Sequence, residues 1–320
     1  MYKSIIISLL ISSTLLISCS EQTPTATQTE TIVKTSNVTI PPVPTEPTIE
    51  MWIVELSVAE LAKMRDFYSE VVWLDILGST ADTVYLWEGN RILISLREEL
   101  NYTRPPQWEA WLYHLAITHT SRKTLAARVR TILTKTPELY QWSSDHTATE
   151  AFYFADPEGN WLEFYYDKPR TEWQYQDGKP VMWSTYIDTL AYIKRYADMP
   201  VSEGTTSMWH VHLKVGSIDE AVKFYRDILL FEVMSKESTA LFVSRDGYHH
   251  HLGLNTWESL GSKKRTANTY GLRSYELKYT EALYEKIRRN LDTAKIPYTE
   301  SDSTLRVDDP WWNTIKIRQF

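Results

Sequence analysis

Beyond residue 50 the chain alternates between two hydrophobic rhythms. In "WHVHLKV" (209–215) apolar and polar residues change places at nearly every step, the pattern of a strand with one buried face. In "IDEAVKFYRDIL" (218–229) the apolar residues recur at helical spacing, which predicts an amphipathic helix carrying a Phe-Tyr pair. "LYHLAITHT" (112–120) and "RKTLAARVRTILTK" (122–135) repeat that order of strand then helix. Two further strands run through "EAFYFADPEGNWLEFYY" (150–166). The pattern predicts four βαβββ units at about 51–97, 110–167, 208–258 and 270–320. A crossover between the second and third carries a short helix over 187–197.

The units come in two copies. "AKMRDFYSEVVWLDI" (62–76) returns as "DEAVKFYRDILLFEV" (219–233), which sets Phe67 and Tyr68 beside Phe224 and Tyr225. "WEGNRILISL" is echoed by "RDGYHHHLGL", and "ADPEGNWLEFYY" by "DDPWWNTIKIRQ", which sets Gly89 beside Gly247 and Asp156 beside Asp309. Spacing that stays nearly constant over such a length indicates a duplicated domain. The expected halves are residues 50–170 and 207–320, joined by a linker at 171–206.

Composition adds mainly exclusions. A net charge of -7 leaves no electrostatic footprint for nucleic acid. The N-terminus is more informative. After Lys3 an apolar and small stretch runs from Ser4 to Ser18, the length of a signal-peptide core and short for a membrane span. "LISC" (16–19) resembles a bacterial lipobox, in which Cys19 would be diacylated after removal of residues 1–18; an ordinary secretory signal is the alternative. Cys19 is the sole cysteine, so no disulfide can form within one chain. Residues 19–49, rich in Thr and Pro, read as a tether. The expectation is an exported protein held at a membrane by lipid, facing the periplasm from the outer membrane in a diderm bacterium.

Four βαβββ units with these signatures resemble the vicinal oxygen chelate superfamily. The resemblance covers residues 51–320 and is strongest toward the two-domain extradiol catechol 2,3-dioxygenases, through "YHLAI", "DHTATEAFYFADPEGNWLEFYYDKPRTEWQ", "HVHLKV" and "GYHHHLGLNTW". It implies an α+β fold of two tandem vicinal-oxygen-chelate domains, whose curled mixed sheets form a cup around a divalent metal. Assembly into homo-oligomers is compatible with the family and with this chain.

In that superfamily the metal ligands come from the first and last strands of paired units. Counting to those positions gives Ile53 and Leu93 in the first unit, His114 and Glu163 in the second, His210 and His251 in the third, and Ser274 and Lys316 in the fourth. The outer units thus offer no divalent site. The inner two offer imidazoles and a carboxylate, so the second and third units are expected to pair across the duplication. His114, Glu163 and His210 would form a two-His, one-carboxylate face suited to Fe(II), with Mn(II) or another divalent metal possible. His212 shares a face with His210 and would replace it if the register slips by two.

The remaining histidines divide by strand alternation, with His249 and His251 on one face and His250 on the other. His251 is then the expected acid–base residue at the substrate and His146 its reserve, with His250 a packed or surface residue and His119 turned to solvent. The implied reaction is extradiol cleavage of a catechol-type diol by O2. The alternatives are a glyoxalase-type lyase, which more usually carries glutamates at both last-strand positions, and a tethered protein that binds an aromatic ligand without turnover.

Overall fold

The computed structural model describes residues 46–89, 91–198 and 207–320. The apolar leader, Cys19 and nearly all of the tether lie outside the described residues. Among the described residues no helix is long and apolar enough to cross a membrane.

Each of the four units has the predicted order. In the second, strand Leu112–His119 leads through helix Arg122–Lys135 into strands Tyr140–Asp145, Thr149–Ala155 and Trp161–Asp167. In the third, strand Ser207–Lys214 leads through a short helix into Glu232–Lys236, Ala240–Ser244 and Leu252–Asn255. The Ser121 hydroxyl accepts the Thr124 N–H at the start of the helix in the second unit, and Ser217 does the same for Glu220 in the third. The crossover helix forms over Thr189–Tyr196, capped by Asp188.

The sheets cross the sequence halves. A nine-stranded sheet joins the second and third units through antiparallel pairing of their first strands, with His212 opposite His114 and His210 opposite Ala116. An eight-stranded sheet joins the first and fourth units in the same way, with Glu55 opposite Ser274. Each sheet therefore takes one unit from each copy.

The repeated Phe-Tyr pair ties the two sheets together. In both copies the helix widens there, with Val72 N–H donating to Phe67 C=O (3.0 Å) and Leu229 N–H to Phe224 C=O (3.1 Å), five residues back. The Tyr68 hydroxyl donates to Asp156 at 3.0 Å, and the Tyr225 hydroxyl to Asp309 at 2.8 Å. Each bond links a unit of one sheet to a turn of the other, and all four side chains are buried. Tyr68→Phe leaves an oxygen of a buried carboxylate short of a donor. It is expected to cost about 1–3 kcal/mol in a chemical-denaturation midpoint.

The eight-stranded sheet carries a salt bridge at the place matching the metal cup. Lys316 Nζ lies 2.7 Å from Glu55 Oε2, and the Ser274 hydroxyl donates to the same oxygen. The Lys316 ammonium thus stands at the ladder position equivalent to Glu163 and pairs with Glu55.

Candidate metal centre and active site

Two adjacent cross-strand rows build the site. The first runs Tyr153, Glu163, Ala116, His210 over four neighbouring strands. The second runs Trp161, His114, His212, Gly253, Phe242. Ala116, lacking a long side chain, leaves the middle of the first row open, and His114, Glu163 and His210 converge beside it. Their ligand atoms all lie within 4.8 Å of one another, and all three residues are buried. His114 Nε2 is 2.9 Å and His210 Nε2 3.0 Å from the same oxygen, Glu163 Oε2.

The electrostatics fit a cation at this point. Burial alone would raise the Glu163 carboxyl, but His210 and His114 outweigh it and hold Glu163 well below the usual carboxylate range. Burial also lowers His210, to about 4, so its ring is neutral at physiological pH. Among the described residues, His114 Nε2, although close to the carboxylate, makes no hydrogen bond, and His210 Nδ1 is likewise without a partner. Buried polar atoms left in this state are what a ligand set looks like without its ion. Two imidazoles and one carboxylate are a donor set for a divalent first-row metal. His212, the alternative to His210, instead pairs its Nε2 with Asn255 Nδ2 at 3.0 Å and stands outside the converging group.

No family profile matches the sequence. The chain is 31% identical over 265 residues to the catechol-2,3-dioxygenase of Bacillus subtilis (strain 168), covering 80% of this chain and 92% of the relative. This chain belongs to the catechol 2,3-dioxygenase family. The fold agrees with the vicinal oxygen chelate superfamily. A putative dioxygenase from Bacillus subtilis superposes with a TM-score of 0.57 at 11% identity, covering 86% of each chain. Glyoxalase I from Zea mays superposes with a TM-score of 0.51 at 13% identity, covering 84% of this chain and 92% of that one.

Around the candidate metal site of this catechol 2,3-dioxygenase family member opens a cavity of about 580 Å³, whose walls include His114, Glu163, His146, Tyr153 and His250. His146 is where the sequence places it. Its Nε2 lies 2.9 Å from the Tyr153 hydroxyl and its Nδ1 2.9 Å from the Ser184 hydroxyl. The crossover supplies Ser184 because its strand Thr185–Tyr186 adds to the sheet edge beside Asp145. Tyr153 escapes a search for histidines, yet counting back across the Asp156–Asn160 turn from Glu163 finds it as the cross-strand partner.

The histidine triplet is arranged differently from the sequence expectation. Strand alternation does not apply to His249, His250 and His251, because the strand begins only at Leu252. The loop after Gly247 is also two residues longer than its counterpart in the second unit. The ladder puts Gly253, not His251, at the position equivalent to Glu163, and likewise Ser95 rather than Leu93 in the first unit. A Cβ at Gly253 would lie 2.8 Å from the His212 ring, so the His212 ring occupies that space.

His251 does not line the cavity. Its Nδ1 lies 2.8 Å from the Ser244 hydroxyl and the residue is buried behind the site. His250, expected to be a packed or surface residue, lines the cavity with its ring 4.2 Å from that of His210. His119, expected at the surface, is buried against Phe164.

A chain of hydrogen bonds links Asp167 to His250. His249 Nε2 lies 2.8 Å from Asp167 Oδ1, and His249 Nδ1 lies 2.8 Å from His250 Nδ1. A His249 carrying one proton, on Nε2, would accept from His250 Nδ1–H and leave the lone pair of His250 on Nε2. Tyr248 braces the same carboxylate, donating to Asp167 at 2.9 Å.

Burial lowers the pKa of His119, His210, His212, His250 and His251 together. A histidine lowered in the folded state binds fewer protons there than when unfolded. Stability is then full above the unfolded value and is lost as pH falls through the folded values, about 4 for His210 and about 3 for His251. The metal-free protein is expected to show a steep drop in melting temperature on acidification from pH ~6.5 to ~4.

Proposed function

We propose that this protein cleaves a catechol-type aromatic diol beside its hydroxyl pair, using O2 and a divalent metal, most simply Fe(II). The observation that carries the reading is the approach of two histidine Nε2 atoms to one oxygen of buried Glu163 at the wall of a ligand-sized cavity. His114, Glu163 and His210 would hold the metal. A metal bound there would supply Lewis acidity toward the diol and would activate O2.

The chain's own residues handle orientation and protons. His250 Nε2, unprotonated and facing the cavity, accepts a proton from the incoming diol and later returns one. The His146–Tyr153 pair offers a hydroxyl beside Glu163 that orients the bound oxygens. Trp161 and Phe242 line the site with apolar surface. Gly253 at the second last-strand position, where the lyase would more usually carry glutamate, disfavours the glyoxalase-type alternative.

The deciding experiment is oxygen uptake after anaerobic loading with Fe(II), Mn(II) or Zn(II), measured across a catechol panel. Uptake matched one-to-one by ring-opened product is the expected result. Absence of uptake with every metal and catechol would leave only binding.

Residues 1–19 support placing this activity at a membrane surface through acylated Cys19. Labelling with a radioactive fatty acid in a bacterial host is expected to mark the wild type and not Cys19→Ser, which should move from the membrane to the soluble fraction.

A further inference from the structure

The cavity is larger than the reaction requires. Its volume of about 580 Å³ falls among sites that enclose drug-sized ligands, about 300–1,000 Å³. A single dihydroxylated ring would leave most of it unfilled.

The surplus is walled by aromatic side chains in continuous contact. The Tyr113 ring lies 5.5 Å from Trp161, 5.2 Å from Trp257 and 5.0 Å from His212. Phe242 continues the wall, 5.8 Å from His212 and 5.1 Å from His250. The surface thus runs from Trp257, half exposed, down to the expected proton acceptor. Trp142, also half exposed, lines the same cavity and meets Tyr186 at 6.2 Å.

Charge points the same way. Among the described residues lining the cavity there is no lysine or arginine, and the two carboxylates are Glu163 and Glu237. An anionic substituent would lose its hydration here without gaining a counter-ion. An apolar one would bury its surface against Tyr113, Trp257 and Phe242.

We propose that the site selects catechols carrying a bulky, uncharged apolar substituent, with Trp257 and Phe242 as its specificity-determining residues. The inference rests on the ring-cleavage reading. Its test compares catechol, 3-phenylcatechol and 3,4-dihydroxyphenylacetate on the metal-loaded protein, by kcat/KM and by anaerobic quenching of tryptophan fluorescence.

The expected kcat/KM for 3-phenylcatechol exceeds that for catechol by about tenfold or more, while the carboxylated diol falls about tenfold below catechol. Trp257→Ala should shrink the first ratio about fivefold through KM, and Trp257→Phe should restore most of it. Equal or better use of the carboxylated diol, or no gain from the phenyl group, overturns the inference while ring cleavage stands. If no diol is cleaved, the ring-cleavage reading fails and the quenching decides the selectivity. Tighter binding of 3-phenylcatechol than of catechol supports it, and equal binding overturns it.

Discussion

Glu163→Gln is expected to abolish turnover while leaving the protein folded. The substitution keeps the shape and removes the charge that both Nε2 atoms approach at 2.9 and 3.0 Å. In the wild type that buried charge is held by His114 and His210 without a metal and gains further from a bound cation. Without metal, the variant should therefore melt at or below the wild-type temperature. With metal, the wild type should gain about 2.7 kcal/mol at a hundredfold excess over Kd, and the variant should gain nothing. Losing the metal removes several kcal/mol of transition-state stabilisation, so activity should fall by roughly a thousandfold or more. Calorimetric metal titration, melting curves with and without metal, and oxygen uptake read the three effects separately. A variant that binds metal as tightly as the wild type would exclude Glu163 as a ligand.

The sequence carried much of this architecture because the relevant signals are periodic. Alternation in "WHVHLKV" and helical spacing in "IDEAVKFYRDIL" repeat in register, so the units could be counted and their first strands aligned. His114 and His210 lie on those strands, where register is fixed by a buried face, and Glu163 follows a tight turn. These three could be located by counting. His251 could not, because it follows a loop whose length differs between units, and two extra residues shift every later position by one full alternation. Tyr153 and Ser184 enter from a partner strand and from the crossover, and neither position is encoded by local pattern. The Phe-Tyr and Asp-Pro repeats also join the sheets, a role that only the three-dimensional pairing reveals.

The sharpest contrast lies within the triplet itself. His250→Ala is expected to lower kcat by about a hundredfold to ten-thousandfold, the usual worth of a positioned acid–base group, with metal affinity retained. His251→Ala should reduce stability by about 1–3 kcal/mol, since it strips the Ser244 hydroxyl of a buried partner, yet leave kcat nearly intact. The neighbours differ because His250 faces the cavity and His251 faces the core. Asp167→Asn separates positioning from chemistry. An amide accepts from His249 only weakly and can turn its NH2 toward the ring, which favours the other tautomer of His249 and, through it, of His250. The His250 proton would then sit on Nε2, blocking acceptance from the diol. Asp167→Asn should therefore lower kcat more than it changes KM or melting temperature, and turnover should recover in part with a diol whose hydroxyl is already more acidic, such as a nitrocatechol. If His250→Ala turns over at the wild-type rate, the proton acceptor lies elsewhere, and the His146–Tyr153 pair becomes the next group to replace.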